Sequence, residues 1–148
     1  MELAHEFNFR GSLSGSHAIG AGPLGQRVVA AVGDGSVKGD RINGAIVGPG
    51  ADWAVLGGDG YAQIDVRLQI KTDDGAVLLM TYTGSLELTD KVLAAFAGGE
   101  TDFDDQYFRT HVRLECGDER YTWVNRTLFV GKGRMLPRGF EYDVFRVT

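Results

Sequence analysis

The sequence is poor in the residues that build cross-links and metal cages. Cys116 is the only cysteine among 148 residues, which excludes an intrachain disulfide and zinc sites built on paired cysteines. The three histidines, His5, His17 and His111, share no metal-ligand spacing, so no metal is expected. Serine is concentrated at Ser12, Ser14 and Ser16, a glycine-serine stretch without a nucleophile elbow. No apolar run approaches the roughly 18 residues of a membrane span. The opening MELAHEFNFR carries acidic residues and no apolar signal core, so a cytoplasmic location without a membrane partner is expected. Positive charge is scarce as well. Fifteen Lys and Arg against 20 Asp and Glu leave a net charge of -5, which argues against phosphate neutralisation and hence against nucleic acid. Asn125-Arg126-Thr127 fits a glycosylation sequon, read as chance without an export signal.

Glycine, by contrast, is abundant. The 22 glycines lie between short apolar runs and are not massed in a linker, a distribution that implies many turns and many strands. With 43% hydrophobic and 24% charged residues, residues 1–148 read as one globular domain. Alternation dominates. Ala62, Ile64, Val66, Leu68 and Ile70 share one face of Tyr61–Lys71, with Gln63, Asp65, Arg67 and Gln69 on the other. Gln26–Val32 reads as a strand ending in a turn at Gly33-Asp34-Gly35, and Arg41–Val47 as a strand ending in a Gly48-Pro49-Gly50 loop. Asp73-Asp74-Gly75 makes a hairpin into Ala76–Leu86. A second hairpin is expected between Tyr107–Cys116 and Tyr121–Val130, and a last strand at Phe140–Val147. Thr89–Gly98 is the exception: a capping threonine, Val92, Leu93 and Phe96 on one face, and a Gly98-Gly99 stop predict a short helix. Sequential hairpins with one helix predict an all-β fold, a single antiparallel barrel lidded or plugged by the helix. A two-sheet sandwich is the alternative.

Gly20-Ala21-Gly22-Pro23-Leu24-Gly25 has G-x-G-x-x-G spacing. A dinucleotide site needs a helix after the loop to supply amides and a dipole. Here adjacent β-branched residues and an early glycine stop favour a strand, and Pro23 removes an amide from the loop. Asp40 sits about 20 residues after Gly20, where a ribose-binding acid would, but no parallel βαβ context surrounds it. The stretch is read as a strand connection, and no cofactor is expected.

Function then turns on which strand faces line the barrel. On the simplest reading polar faces are solvated exteriors. On the sharper one they converge inward, where Asp65 and Glu115 are candidate general bases and Arg67 and Arg109 candidate oxyanion or carboxylate anchors. Asp52, Trp53, His111, Trp123 and Asn125 would complete a small-molecule pocket, the tryptophans as walls and Asn125 as a donor. Cys116 reads as a small buried hydrophobe.

The segments Gly48-Pro49-Gly50-Ala51-Asp52-Trp53, Thr72-Asp73-Asp74-Gly75-Ala76, Tyr107-Phe108-Arg109-Thr110 and Tyr121-Thr122-Trp123-Val124-Asn125-Arg126, in this order and spacing, resemble the domain of unknown function 3237 family. Gly22-Pro23 and Gly25-Gln26-Arg27 extend the resemblance to nearly the whole chain. It implies a compact antiparallel barrel, similar to lipocalin-like or allene-oxide-cyclase-like barrels, often assembled into homo-oligomers. It implies no common activity. His111 and Leu114 stand where the family pattern leads one to expect a proline and an aromatic residue, a change to the pocket wall. Three functions follow as alternatives: a cofactor-independent isomerase, cyclase or lyase acting on an oxygenated organic acid or aromatic compound; a carrier barrel; or a structural oligomerisation module with exterior charges.

Overall fold

The alternating segments close on themselves. In the computed structural model, which describes Met1–Thr148, eight antiparallel strands form a closed barrel in sequence order. They are β1 (Leu3–Gly22), β2 (Gly25–Gly39), β3 (Gly44–Leu56), β4 (Tyr61–Thr72), β5 (Val77–Glu87), β6 (Phe108–Glu115), β7 (Phe129–Leu136) and β8 (Gly139–Val147). The ring is sealed by pairing of β1 with β8, from Leu3 opposite Val147 to Ser12 opposite Gly139. A sandwich is thereby excluded, for all eight strands belong to one closed ring and not to two sheets packed face to face. No helix is long and apolar enough to cross a membrane.

Strand alternation sorts side chains between lumen and exterior. Phe7, Phe9, Leu68, Ile70, Leu78, Met80, Val112, Leu114, Phe129 and Val144 fill one half of the lumen and are buried almost completely. That end is stoppered by a turn of 3-10 helix over Glu119–Arg126, which buries Tyr121 and Val124. The expected strand at Tyr121–Val130 is therefore corrected: β6 pairs with Phe129–Leu136, from Arg109 opposite Lys132 to Val112 opposite Phe129. The Asp118 side chain accepts from the Arg120 amide and starts the 3-10 turn, a competing local hydrogen bond of the kind that draws short polar residues out of strands.

Two further expected breaks prove to be irregularities inside strands. Gly33-Asp34-Gly35 lies within β2, where the register to β3 shifts between Ala31 and Gly35. Gly48-Pro49-Gly50 lies within β3, with a cis Gly48–Pro49 bond and a register shift between Val47 and Ala51. Gly22 and Gly25 pair across a tight hairpin, so the glycine loop connects two strands. The Asp73-Asp74-Gly75 hairpin forms as expected.

The helix forms where the capping signal put it, as α1 (Asp90–Phe96), with the Thr89 side chain accepting from the Val92 amide. It buries Val92 and Ala95, whereas Leu93 and Phe96 are about half exposed at 49% and 51%. The inward stripe is thus narrower than the expected face. α1 lies at the end of the barrel opposite the 3-10 turn and brings Ala95 and Phe96 to the rim of the remaining hollow.

Candidate functional site: an acid in an apolar chamber

The second half of the lumen is not filled. Where the stoppered end carries Phe, Ile and Leu, the positions facing this end include Ala30, Ala54, Ala62 and Gly15. These small side chains leave a chamber of about 380 Å³, within the size range of small-molecule pockets. Its wall is apolar, built mainly from Leu13, Val28, Ile64, Leu86, Phe108 and Phe140. The floor is aromatic. Tyr142 stacks on Phe9 with ring centroids 4.9 Å apart and planes 11° from parallel, and Tyr82 meets Tyr142 edge-on at 5.3 Å. Packing here is tight enough to require glycine at 133. A Cβ there would stand 2.6 Å from Phe108 Cδ1 and 2.7 Å from Tyr142 Cε1.

Into this chamber β3 delivers one carboxylate. Asp52 pairs across the strands with Ala30 and Val66, both of which line the chamber. Its Oδ1 accepts from the Asp65 backbone amide at 3.2 Å. Burial pushes the Asp52 carboxyl up to about 6; the Asp65 amide bond opposes that rise and the nearby Asp65 charge adds to it. Burial also holds both tyrosine hydroxyls well above their usual range. The Asp52 charge raises both further, so the acid and the two phenols share one electrostatic environment. Both tyrosines line the chamber, and a phenol O–H can donate to a molecule held there.

Of the residues proposed from sequence, only Asp52 faces this chamber. The inward convergence of the polar faces is corrected by strand parity, because Ile64, Val66 and Leu68 take the lumen and send Asp65 and Arg67 outside. Parity also turns Arg109, His111 and Glu115 out, since Phe108, Thr110, Val112 and Leu114 point in. Asp65, Arg109 and His111 do meet, along a shallow trough of about 890 Å³ on the outer wall. That hollow is the larger, but it is open to water. Arg67 lies over Trp53, 5.9 Å from the ring centroid, and both are exposed.

Trp123 and Asn125 lie at the stoppered end, far from the chamber in the chain's own geometry. Trp123 carries the Arg41 guanidinium 3.6 Å above its ring, while Arg41 grips Glu6 through two bonds of 2.7 and 2.8 Å. Asn125 clamps the backbone of Cys116, accepting from its amide at 2.8 Å and donating to its carbonyl at 2.9 Å. Both side chains hold the 3-10 turn in place. Cys116 is buried there, its thiol 3.3 Å from the Val77 carbonyl.

Sequence reasoning missed Tyr82 and Tyr142. Each stands at an apolar position of an alternating strand and reads as core. The available signal was phenol where phenylalanine would pack equally well, since a buried hydroxyl needs a partner. No group of three or more His, Cys, Asp or Glu side chains is gathered where it can hold a metal.

The comparisons with known proteins agree with this architecture. The family model described as "Protein of unknown function (DUF3237)" matches residues 1–147. A UPF0311 protein of Rhodopseudomonas palustris is 32% identical over 138 residues, covering 93% of this chain and 88% of the relative. Among solved structures, a beta-barrel like protein from Acinetobacter baumannii superposes with a TM-score of 0.86 at 27% identity, covering 99% of this chain and 96% of its own. A structure described as an enzyme from Penicillium herquei superposes with a TM-score of 0.72 at 18% identity, over 99% of this chain and 94% of that one. At that identity the likeness concerns the fold alone.

Proposed function

We propose that this chain, which belongs to the DUF3237 family of proteins of unknown function, binds a small molecule in its barrel chamber and catalyses proton transfer on it without a cofactor. One observation carries the reading: a partly buried carboxyl with its pKa raised to about 6 opens into a mainly apolar cavity beside two neutral phenols. An unused carboxylate in such a place costs stability, and perturbed acids in clefts mark functional sites.

The chemistry follows from the pKa values. Near neutral pH Asp52 is mostly ionised but is a stronger base than an exposed aspartate, so it can take a proton from carbon or hydroxyl. The Tyr82 hydroxyl can donate to the oxygen on which negative charge then develops. Return of the proton by Asp52 at another atom completes an isomerisation, a ring closure or an elimination. Electrons and protons balance within the substrate, which suits an oxygenated aromatic or organic acid. The distant barrel from Penicillium herquei supports only the point that this fold accommodates an enzyme.

The test compares wild type with Asp52→Asn, each incubated with a small-molecule extract and followed by mass spectrometry. The expected result is a compound consumed by wild type but bound unchanged by the variant, with affinity kept within about tenfold. Stoichiometric retention of an unchanged compound by wild type would make the barrel a carrier. Neither retention nor consumption would remove the chamber reading altogether. Native mass spectra from the same preparation report the homo-oligomer that the family resemblance implies. The chamber is built within one chain, so the proposed chemistry needs no second copy.

A further inference from the structure

The chamber wall holds only one other charged side chain. Arg138 stands at its rim, in the two-residue Pro137-Arg138 connection between β7 and β8, where Leu136 pairs with Gly139. Three observations about it converge. First, its backbone has φ 56°, and it is the only residue other than glycine with positive φ. The position after proline in such a turn suits glycine or asparagine, and a long side chain there is strained. Second, its guanidinium takes part in none of the ion pairs that occupy Arg10, Arg41, Arg120, Arg134 and Arg146. Third, Asp52 stands at the level of Tyr82, since both pair with Val66, whereas Arg138 stands in the turn at the rim, so acid and guanidinium occupy separate ends of the hollow. The turn itself is fixed, with the Arg138 carbonyl accepting from the Leu13 amide at 2.8 Å.

A chamber with an acid and phenols at depth, apolar walls and one unpaired guanidinium at its mouth has a definite polarity. Resting on the proposed chamber chemistry, we propose that Arg138 is the specificity determinant of the site and that the substrates are amphipathic carboxylates. The carboxylate docks on Arg138 at the rim. The ring system fills the apolar section, and a hydroxyl or carbonyl at the far end meets Asp52 and Tyr82. A guanidinium recognises a carboxylate through paired N–H donors, which fixes orientation as well as affinity.

The probes are 6-hydroxy-2-naphthoate, which has both polar ends, and 2-naphthol, which lacks the carboxylate. Binding is measured by the intrinsic fluorescence of each probe with wild type, Arg138→Gln and Arg138→Gly. The naphthoate should bind wild type more tightly than either variant by about tenfold, the scale of one charge-assisted hydrogen bond partly screened by water. Added salt should erode that advantage. The naphthol should not distinguish the three proteins. Arg138→Gly should melt no lower than wild type, because glycine relieves the positive φ, and this separates ligand anchoring from a structural role. Equal naphthoate affinity in all three proteins would overturn the anchor while leaving the chamber reading in place. Failure of both probes to bind wild type would overturn the chamber and the anchor together.

Discussion

Replacing Asp52 with asparagine should make the protein more stable at neutral pH. The carboxyl has an ordinary value of 3.8 and a folded value of about 6. The folded state therefore holds the proton more tightly than the unfolded chain, and stability must fall as pH rises between these values. The span of about 2.2 units at 1.36 kcal/mol each makes the ionised carboxylate cost the fold about 3 kcal/mol above pH 6. Asparagine keeps an oxygen for the Asp65 amide and carries no charge at any pH. The assay is urea unfolding of wild type and Asp52→Asn at several pH values from 8 to 4. The variant should be the more stable by up to about 3 kcal/mol at pH 8, with the gap shrinking through pH 6 and flat below about pH 4. Other carboxylates titrate in the same range, but they are common to both proteins and cancel in the difference. Any fixed difference in how Asn and Asp pack is also cancelled, since only the pH dependence is at issue. A gap that does not change with pH, or that grows on acidification, would refute the claim that Asp52 is a destabilised, partly buried acid. Its candidacy as a catalytic base would fall with it.

Four other substitutions test different parts of the structure. Gly133→Ala should cost about 1–3 kcal/mol by overpacking, read as a lower melting temperature together with lost near-ultraviolet dichroism from the Phe108–Tyr142 contact, 5.0 Å between centroids. Glu141 sits on the outer wall and accepts from Arg10, Asn8 and Arg134. Burial pushes its carboxyl up, but the bonds from Arg134, Arg10 and Asn8 outweigh that and hold it below its usual value. Glu141→Gln should therefore cost about 2 kcal/mol at pH 7. That cost should persist above the ordinary glutamate value and vanish as acid titrates the wild-type carboxylate, the opposite sign to Asp52. Arg67→Gln and Glu115→Gln, on the outer face, should leave naphthol affinity in the chamber unchanged within about twofold; a loss of binding would put the site on the outer wall instead.

The fold was legible where residue type and period agreed. Tyr61–Lys71 alternates without a break, and the strand it forms, β4, pairs with β5 without one register shift. Thr89 offered a cap and the helix began there. Legibility failed where a local polar bond beat the period. Tyr121, Trp123 and Asn125 alternate as a strand would, but spacing of three also places Tyr121 and Val124 on one side of a 3-10 turn, and the Asp118 cap with the Asn125 clamp selects the latter. The glycine pairs at 33–35 and 48–50 looked like chain reversals because the sequence shows permissive backbone without showing whether a neighbouring strand continues past it.

The site was harder to read for a reason that lies in barrels themselves. A search for chemistry favours strands dense in charge, and in a barrel of this size those strands turn their charge to water because the lumen needs apolar filling. Arg67, Arg109 and Glu115 were conspicuous for this reason and lie outside for the same one. The informative positions are instead the exceptions on the apolar faces: an aspartate in register with Ala30 and Val66, and tyrosines where phenylalanine would serve. A single polar residue on a lumen-facing parity costs burial energy that a run of surface charges does not. Small residues around it, here Ala30, Ala54 and Ala62, leave it space to act. The conjunction of a misplaced acid with missing volume, and not the density of charge, is what a sequence of this class offers as the mark of its chamber.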